Sequence, residues 1–160
     1  MSALVIGVDP GLSTGLFALL TRDGKLTDKP IAVQIHGHQG VVPFVQALLE
    51  RAGCDDRQPL LAVEAFVTGQ RAARSSSPGA GAVTRALIGA LQELYADGAE
   101  VITRPAALVK PWATDRRLEA AGLLAPCAGM GHARDAARHA LYAAVHAGLL
   151  RDPLSTRSAL

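Results

Sequence analysis

The stretch LVIGVDPGLSTGLFALLT, residues 4 to 21, predicts the first two strands of a sheet. Residues 4–8 are a short apolar run, typical of a buried strand, and Asp9-Pro10-Gly11 predicts the turn that ends it. Residues 15–21 predict a second strand, which is followed by the hairpin turn signal Asp23-Gly24. The chain therefore begins with antiparallel strands.

The rest of the chain alternates between strand and helix patterns. Further strands are predicted over residues 30–35, 60–63 and 100–103, and helices over residues 41–52, 82–97 and 131–149. Residues 106–122 predict one or two short helices interrupted by Pro111, and residues 69–81 predict a basic loop. This order predicts an α/β fold with a mixed five-stranded sheet flanked by helices, antiparallel at first and parallel later. We expect one domain over residues 1–150 and a short polar tail over residues 151–160.

Composition excludes several classes of protein. The 160 residues carry 16 Lys and Arg against 14 Asp and Glu, a net charge of +2, so no polybasic coat surrounds the chain. No apolar stretch reaches about 18 residues and the N-terminus lacks a signal-peptide pattern, so we expect a cytoplasmic protein with no membrane partner. Cys54 and Cys127 lie far apart without a CxxC partner, which excludes a zinc knuckle.

Two acids stand where predicted apolar strands end. Asp9 follows the first strand and Glu64 follows the strand over residues 60–63. An unpaired carboxylate in such a place costs several kcal/mol of desolvation, so each acid needs a partner or a function. A turn aspartate and an arginine-paired glutamate are the structural alternatives.

The last predicted helix carries polar side chains on one side. At about 100° per residue, five of them fall within an arc of about 80°, namely His132, Asp135, His139, Tyr142 and His146. Alanines occupy the neighbouring face, which suits close packing on a sheet. The stripe indicates a site, although an alanine-rich helix also gathers its polar residues by composition alone. We expect His139 and His146 to be hydrogen-bonded packing residues.

Four segments in order resemble RuvC-type Holliday junction resolvases of the RNase H-like superfamily. The first strand and turn are Gly7-Val8-Asp9-Pro10-Gly11-Leu12-Ser13-Thr14-Gly15, and the second motif is Val63-Glu64-Ala65-Phe66. His132-Ala133-Arg134-Asp135-Ala136 resembles the motif on the C-terminal helix, with histidine where many members carry an acid. Val109-Lys110 resembles the segment that brings a basic residue to the scissile phosphate. The resemblance covers nearly the whole chain.

The resemblance implies a metal-dependent crossover junction endodeoxyribonuclease. Asp9, Glu64 and Asp135 would be the carboxylate ligands, and His132 would bind a metal ion or the scissile phosphate. Hard oxygen ligands suit Mg²⁺, histidine makes Mn²⁺ an acceptable substitute, and we expect two ions per subunit. Lys110 would be the basic catalytic residue.

The resemblance also implies the partners. These are branched DNA, four-way junctions above all, and a second copy of the chain in a two-fold dimer that makes paired nicks. We expect the DNA contacts to come from six residues, which are Phe66, Arg71, Arg74, Lys110, Arg116 and Arg117. A shortened first turn and a serine- and glycine-rich loop after Glu64 favour a phage or divergent branch, in a bacterial cell or a phage-infected one.

Other functions stay open at this point. An RNase H-like nuclease acting on flaps, forks or RNA–DNA hybrids would use the same site, and a junction-binding protein without catalysis would need no metal. A phosphate-binding lobe of the actin and sugar-kinase kind also has a first strand that ends in Asp-x-Gly, but that fold needs two lobes and 160 residues supply one.

Overall fold

A computed structural model of the chain describes residues 2–54, 58–66, 80–93 and 100–155. Its strands are β1 Ser2–Asp9, β2 Ser13–Arg22, β3 Lys25–Leu26, β4 Ile31–His36, β5 Gln58–Glu64 and β6 Glu100–Arg104. Its helices are α1 Val41–Cys54, α2 Ala80–Glu93, α3 Ala106–Trp112, α4 Asp115–Ala120 and α5 Gly131–His146. A short 3-10 turn spans Ala125–Cys127.

The strands of the described residues form one mixed sheet of six strands in the order β3-β2-β1-β5-β6, with β4 also paired to β2. β1 pairs antiparallel with β2 and parallel with β5, and β5 pairs parallel with β6. The predicted α/β architecture is confirmed, but the predicted number of five strands is wrong. The additional strand, β3, has only two residues, too few to show any alternation in the sequence.

Helices cover both faces of the sheet, because the side chains of each strand alternate between two apolar layers. Leu4, Ile6 and Val8 of β1 pack in the layer that holds α1 and α2. Val5 packs in the opposite layer, which α5 fills with alanines. Among the described residues, no helix is long and apolar enough to cross a membrane.

Several element boundaries differ from the predicted ones. The predicted break at Pro111 is wrong, because Pro111 lies inside α3 and the interruption comes at Ala113 and Thr114. Thr114 supplies the physical reason, since its side chain accepts a hydrogen bond from the Arg117 backbone N–H and so starts α4. α2 begins at Ala80, and most of the predicted basic loop, residues 69–79, lies outside the described residues. The backbone N–H of Arg151 donates to Gly24 across 3.1 Å, so the segment after α5 begins against the β2–β3 turn.

Candidate active site

Asp9 and Glu64 lie side by side at the carboxyl ends of two neighbouring parallel strands. The pairing between β1 and β5 ends at Val8 and Val63, and the two acids are the next residue of each strand. Both acids share the face of the sheet that α5 covers, because every second residue of a strand points to the same face and Val5 and Ala62 pack in that layer. The sheet therefore points both carboxylates at the same helix.

α5 crosses this face in unusually close contact. A Cβ atom on Gly7 would lie 2.0 Å from the backbone oxygen of Ala136, and one on Gly15 would lie 2.0 Å from that of His132. Any side chain at either glycine would push the helix away from the sheet. The absence of a Cβ at these positions allows the short Asp9 side chain to reach the first turn of α5.

Asp9 and His132 form the first contact between sheet and helix. His132 Nδ1 lies 2.8 Å from Asp9 Oδ2, a hydrogen-bonding distance. Burial raises the pKa of the Asp9 carboxyl, and the negative charges of Glu64 and Asp135 raise it further. The hydrogen bond and charge of His132 lower the pKa without offsetting the increase. The three carboxylates are thus close enough to repel one another electrostatically.

Glu64 and His139 form the second contact, two turns further along α5. His139 Nε2 lies 3.2 Å from Glu64 Oε2, and the His139 side chain is only 1% exposed. This confirms the prediction that His139 is a hydrogen-bonded packing residue. The helical wheel had not shown that its partner would be the glutamate of the site.

Asp135 lies between these contacts and is held by two cations. Lys110 Nζ donates to Asp135 Oδ2 across 2.8 Å, and Arg138 donates to the other carboxylate oxygen. Burial raises the pKa of Asp135, but the hydrogen bond and charge of Lys110, together with Arg138, outweigh burial and lower the pKa overall. The pKa of Asp135 is therefore shifted in the opposite direction from that of Asp9.

Lys110 faces both neighbouring acids. Its Nζ lies 3.8 Å from Glu64 Oε2 in addition to the contact with Asp135, and its side chain is 40% exposed. Burial lowers the pKa of the ammonium, but the hydrogen bond with Asp135 and the charges of Glu64, Asp135 and Asp9 raise it overall. Lys110 is thus a charged donor that still reaches solvent.

The donor set suits a hard divalent ion, although the side chains are paired internally. Carboxylate oxygens from three elements and one imidazole face one another, which is the chemistry that Mg²⁺ and Mn²⁺ accept. In the part of the chain that the structure describes, no three His, Cys, Asp or Glu side chains meet as a ready ion-binding group. The contacts give the reason: Asp9 is turned to His132, Glu64 to His139, and Asp135 to Lys110. The mutual repulsion of the carboxylates is what a bound cation would relieve.

The structure brings five of the predicted site residues together, namely Asp9, Glu64, Lys110, His132 and Asp135. Their catalytic roles stay predictions. Phe66 lies two residues beyond Glu64, lines a cleft of about 380 Å³ beside that glutamate, and has the Arg85 guanidinium 5.4 Å from its ring centre.

The predicted DNA-binding arginines lie in different surroundings. Arg116 is exposed on α4. The Arg117 guanidinium stacks 4.2 Å above the Trp112 ring and pairs with Asp152 at 3.1 Å, so its present contacts are within the protein. Arg71 and Arg74 lie outside the described residues. DNA contact by these residues stays a prediction.

Arg138 belongs to the site through contacts within the protein, most of which no sequence pattern identifies. It bonds Asp135 and also Asp115 of α4, and its Nε donates to the Ala113 carbonyl across 3.2 Å. It therefore ties α5 to the connection between α3 and α4. Its spacing of three residues from Asp135 was the only signal in the sequence.

The arrangement of strands and helices is that of the RNase H-like fold. A solved structure described as T. thermophilus RuvC in complex with a Holliday junction substrate is similar to this chain, with a TM-score of 0.60. The two sequences are 19% identical, and the match covers 91% of this chain and 95% of the other. No protein-family model and no curated protein matches the sequence. The chain therefore has the fold seen in RuvC.

Proposed function

We propose that the chain is a metal-dependent endonuclease that resolves four-way DNA junctions by paired nicks. The observation that carries the proposal is that the charges of Glu64 and Asp135 act on Asp9 at the carboxyl ends of β1 and β5, with Lys110 3.8 Å from Glu64 and 2.8 Å from Asp135. The same fold occurs in a RuvC structure that holds a Holliday junction, which supports branched DNA as the substrate. A crossover junction endodeoxyribonuclease accounts for both the acids and the fold.

Asp9, Glu64, Asp135 and His132 would hold the metal, two Mg²⁺ ions per subunit with Mn²⁺ able to substitute. Bound divalent ions supply an activated water and neutralise the charge that develops on the phosphate during hydrolysis. Asp9 would be the central ligand of the site, because the His132 ring and the charges of Glu64 and Asp135 all act on its carboxyl. To take up a cation, Asp9 has to exchange its contact with His132 for the ion.

Lys110 would bind the scissile phosphate. Its ammonium stays protonated at neutral pH, because the net effect of its surroundings is to raise the pKa. With 40% of its side chain exposed, it can exchange its bond to Asp135 for a bond to a phosphate oxygen. That exchange would leave Asp135 Oδ2 available as a metal ligand, while Arg138 still holds the other carboxylate oxygen.

Phe66 and four arginines would contact the DNA around the cut. The cleft beside Glu64 is lined by the Phe66 ring and by Pro10 and Pro105, which are flat apolar surfaces suited to a base or sugar. Base–aromatic stacking contributes about 1–3 kcal/mol. Arg116, Arg117, Arg71 and Arg74 would add phosphate contacts whose strength falls with salt.

Two copies of the chain related by a two-fold axis would place one site on each of two opposed strands. The two-fold symmetry of such a dimer matches that of a four-way junction. The paired nicks then follow from geometry, since each subunit acts on the strand that faces it. A monomer would instead release singly nicked junctions.

The test is cleavage of three synthetic substrates under Mg²⁺, with the nicks mapped on a denaturing gel. A mobile four-way junction, a replication fork and an RNA–DNA hybrid of matched sequence are the substrates. We expect symmetric nicks in two opposed strands of the junction and at least about tenfold slower cutting of the others, because two-fold geometry is met only by the junction. Faster cutting of the fork or hybrid would identify a nuclease of another specificity. Metal-independent binding with no nicks would identify a junction-binding protein.

A further inference from the structure

The first turn of α5 lacks a cap from its own chain segment. Met130 occupies the N-cap position and makes no side-chain hydrogen bond there. The backbone N–H of Arg134 is the first to bond backward, to Met130. The N–H of His132 therefore has no acceptor within the helix. Usually a Ser, Thr, Asp or Asn at the N-cap would accept from this position.

Gln34 of β4 takes over that role from across the sheet. Its Oε1 accepts a hydrogen bond from the His132 backbone N–H at 3.3 Å. The residues are 98 positions apart, so this cap is made by tertiary structure and cannot be read from helix-start patterns. A side-chain acceptor at this N–H is what the helix terminus requires.

The sheet places Gln34 in the same cross-strand row as the site. Asp9 pairs with Gly15 of β2, and Gly15 pairs with Gln34 of β4. Asp9 lies under the His132 ring, Gly15 under its backbone oxygen, and Gln34 under its backbone N–H. One residue of α5 is thus fixed at three atoms by three neighbouring strands.

We propose that Gln34 is a positioning residue that holds His132 over Asp9, an inference that rests on the proposed nuclease function. The contact of Gln34 is with the backbone N–H of His132 and not with its imidazole ring. It fixes the first turn of α5, and through it the direction in which the imidazole leaves the backbone. Without this cap the first turn frays, and the His132 ring loses its fixed place beside Asp9. Groups that fix the orientation of a metal-binding histidine support both metal affinity and rate, and Gln34 would do so through the backbone.

Amide hydrogen exchange of the full-length protein tests the cap directly. Gln34→Met keeps the length of the side chain and removes the acceptor, and Gln34→Glu keeps an acceptor oxygen. We expect exchange at the His132 amide to be about fivefold faster in Gln34→Met, the ratio expected for losing one capping bond. Gln34→Glu restores protection. Gln46→Met, the same change at an exposed position of α1, leaves the His132 amide unchanged.

A Mn²⁺ titration followed by electron paramagnetic resonance tests the positioning role. If the Gln34 contact only stabilised the fold, its loss would leave the Mn²⁺ affinity of the folded protein unchanged. At a temperature where all variants are folded, Gln34→Met should bind Mn²⁺ about tenfold more weakly, whereas Gln46→Met should bind as the wild type does.

Unchanged protection of the His132 amide in Gln34→Met would overturn the cap, and lost protection with unchanged Mn²⁺ affinity would overturn the positioning role. A wild type that binds no Mn²⁺ would contradict the proposed function and the metal-positioning role, and the exchange data would still decide the cap.

Discussion

The two acid–histidine pairs on α5 have the same chemistry and different surroundings. Asp9–His132 lies at the first turn of the helix, where the His132 side chain is 49% exposed. Glu64–His139 lies two turns further on, where the His139 side chain is 1% exposed. The shorter contact, 2.8 Å, is the exposed one, and the longer, 3.2 Å, is the buried one.

The difference assigns separate tasks to the two pairs. His139 has no access to a substrate, so it serves to hold Glu64 against the helix. His132 is half exposed, so in the proposed nuclease it would exchange Asp9 for a metal ion or a phosphate. Substitutions at His139 should therefore act first on stability, and substitutions at His132 should act first on activity.

The largest expected change in stability comes from His139→Ala. The substitution empties a buried position and removes the hydrogen-bond partner of Glu64, so we expect a loss of about 2–4 kcal/mol in the free energy of unfolding. His132→Ala removes an exposed contact, and we expect a loss below about 1 kcal/mol. Urea unfolding of both variants at pH 7 measures the two values.

Equal losses for the two histidines would contradict this division of tasks. The slope of each unfolding curve is the control. An unchanged slope shows that the native and unfolded states keep their exposed areas, so that the midpoints report stability.

A smaller expected effect is on how stability depends on pH, which should differ between Asp9 and Asp135. The pKa of Asp9 is raised from its ordinary 3.8 by burial and by Glu64 and Asp135. Between 3.8 and the raised pKa the folded state binds more protons than the unfolded state, so stability falls as pH rises through this window. Asp9→Asn should therefore be more stable than the wild type at pH 7, and the advantage should vanish below pH 3.8.

Asp135 should show the opposite sign. Burial raises its pKa, but Lys110 and Arg138 lower it overall, so its contribution to stability is present above 3.8 and is lost as pH falls through the lowered pKa. Asp135→Asn should be less stable than the wild type at pH 7 and equal to it in strong acid. Thermal unfolding in the presence of a chelator measures both variants. The same sign for both would contradict the electrostatic account of the site.

The sheet could be predicted from the sequence because its strands are apolar runs closed by recognisable turns. The run before Asp9 and the Asp23-Gly24 turn predicted β1 and β2 to within two residues at each end. β3 has two residues and is defined by its pairing with Thr21 and Arg22, which no local pattern shows. Pro111 was predicted to break a helix, but the capping Thr114 sets the boundary.

The sequence predicts which acids come together at the site where their positions follow from strand ends and helix periodicity. Asp9 and Glu64 end buried strands, and Asp135 and His132 share a helix face, so their meeting follows once the topology is right. The partners of Arg138 and Gln34 come from α4 and α5, at distances along the chain that periodicity does not report. His139 was placed on the correct face, but only the parallel register of β1 and β5 puts Glu64 beside it.

The most direct test of the account is the single-turnover rate of junction cleavage by Asp9→Asn in Mg²⁺, beside the wild type. Asp28→Asn, the same change at an exposed acid between β3 and β4, is the matched control. We predict that Asp9→Asn binds the junction as tightly as the wild type in fluorescence anisotropy. It should cut the junction about a thousandfold more slowly, while Asp28→Asn cuts at the wild-type rate. Cleavage by Asp9→Asn at the wild-type rate would contradict the assignment of this carboxylate cluster as the active site.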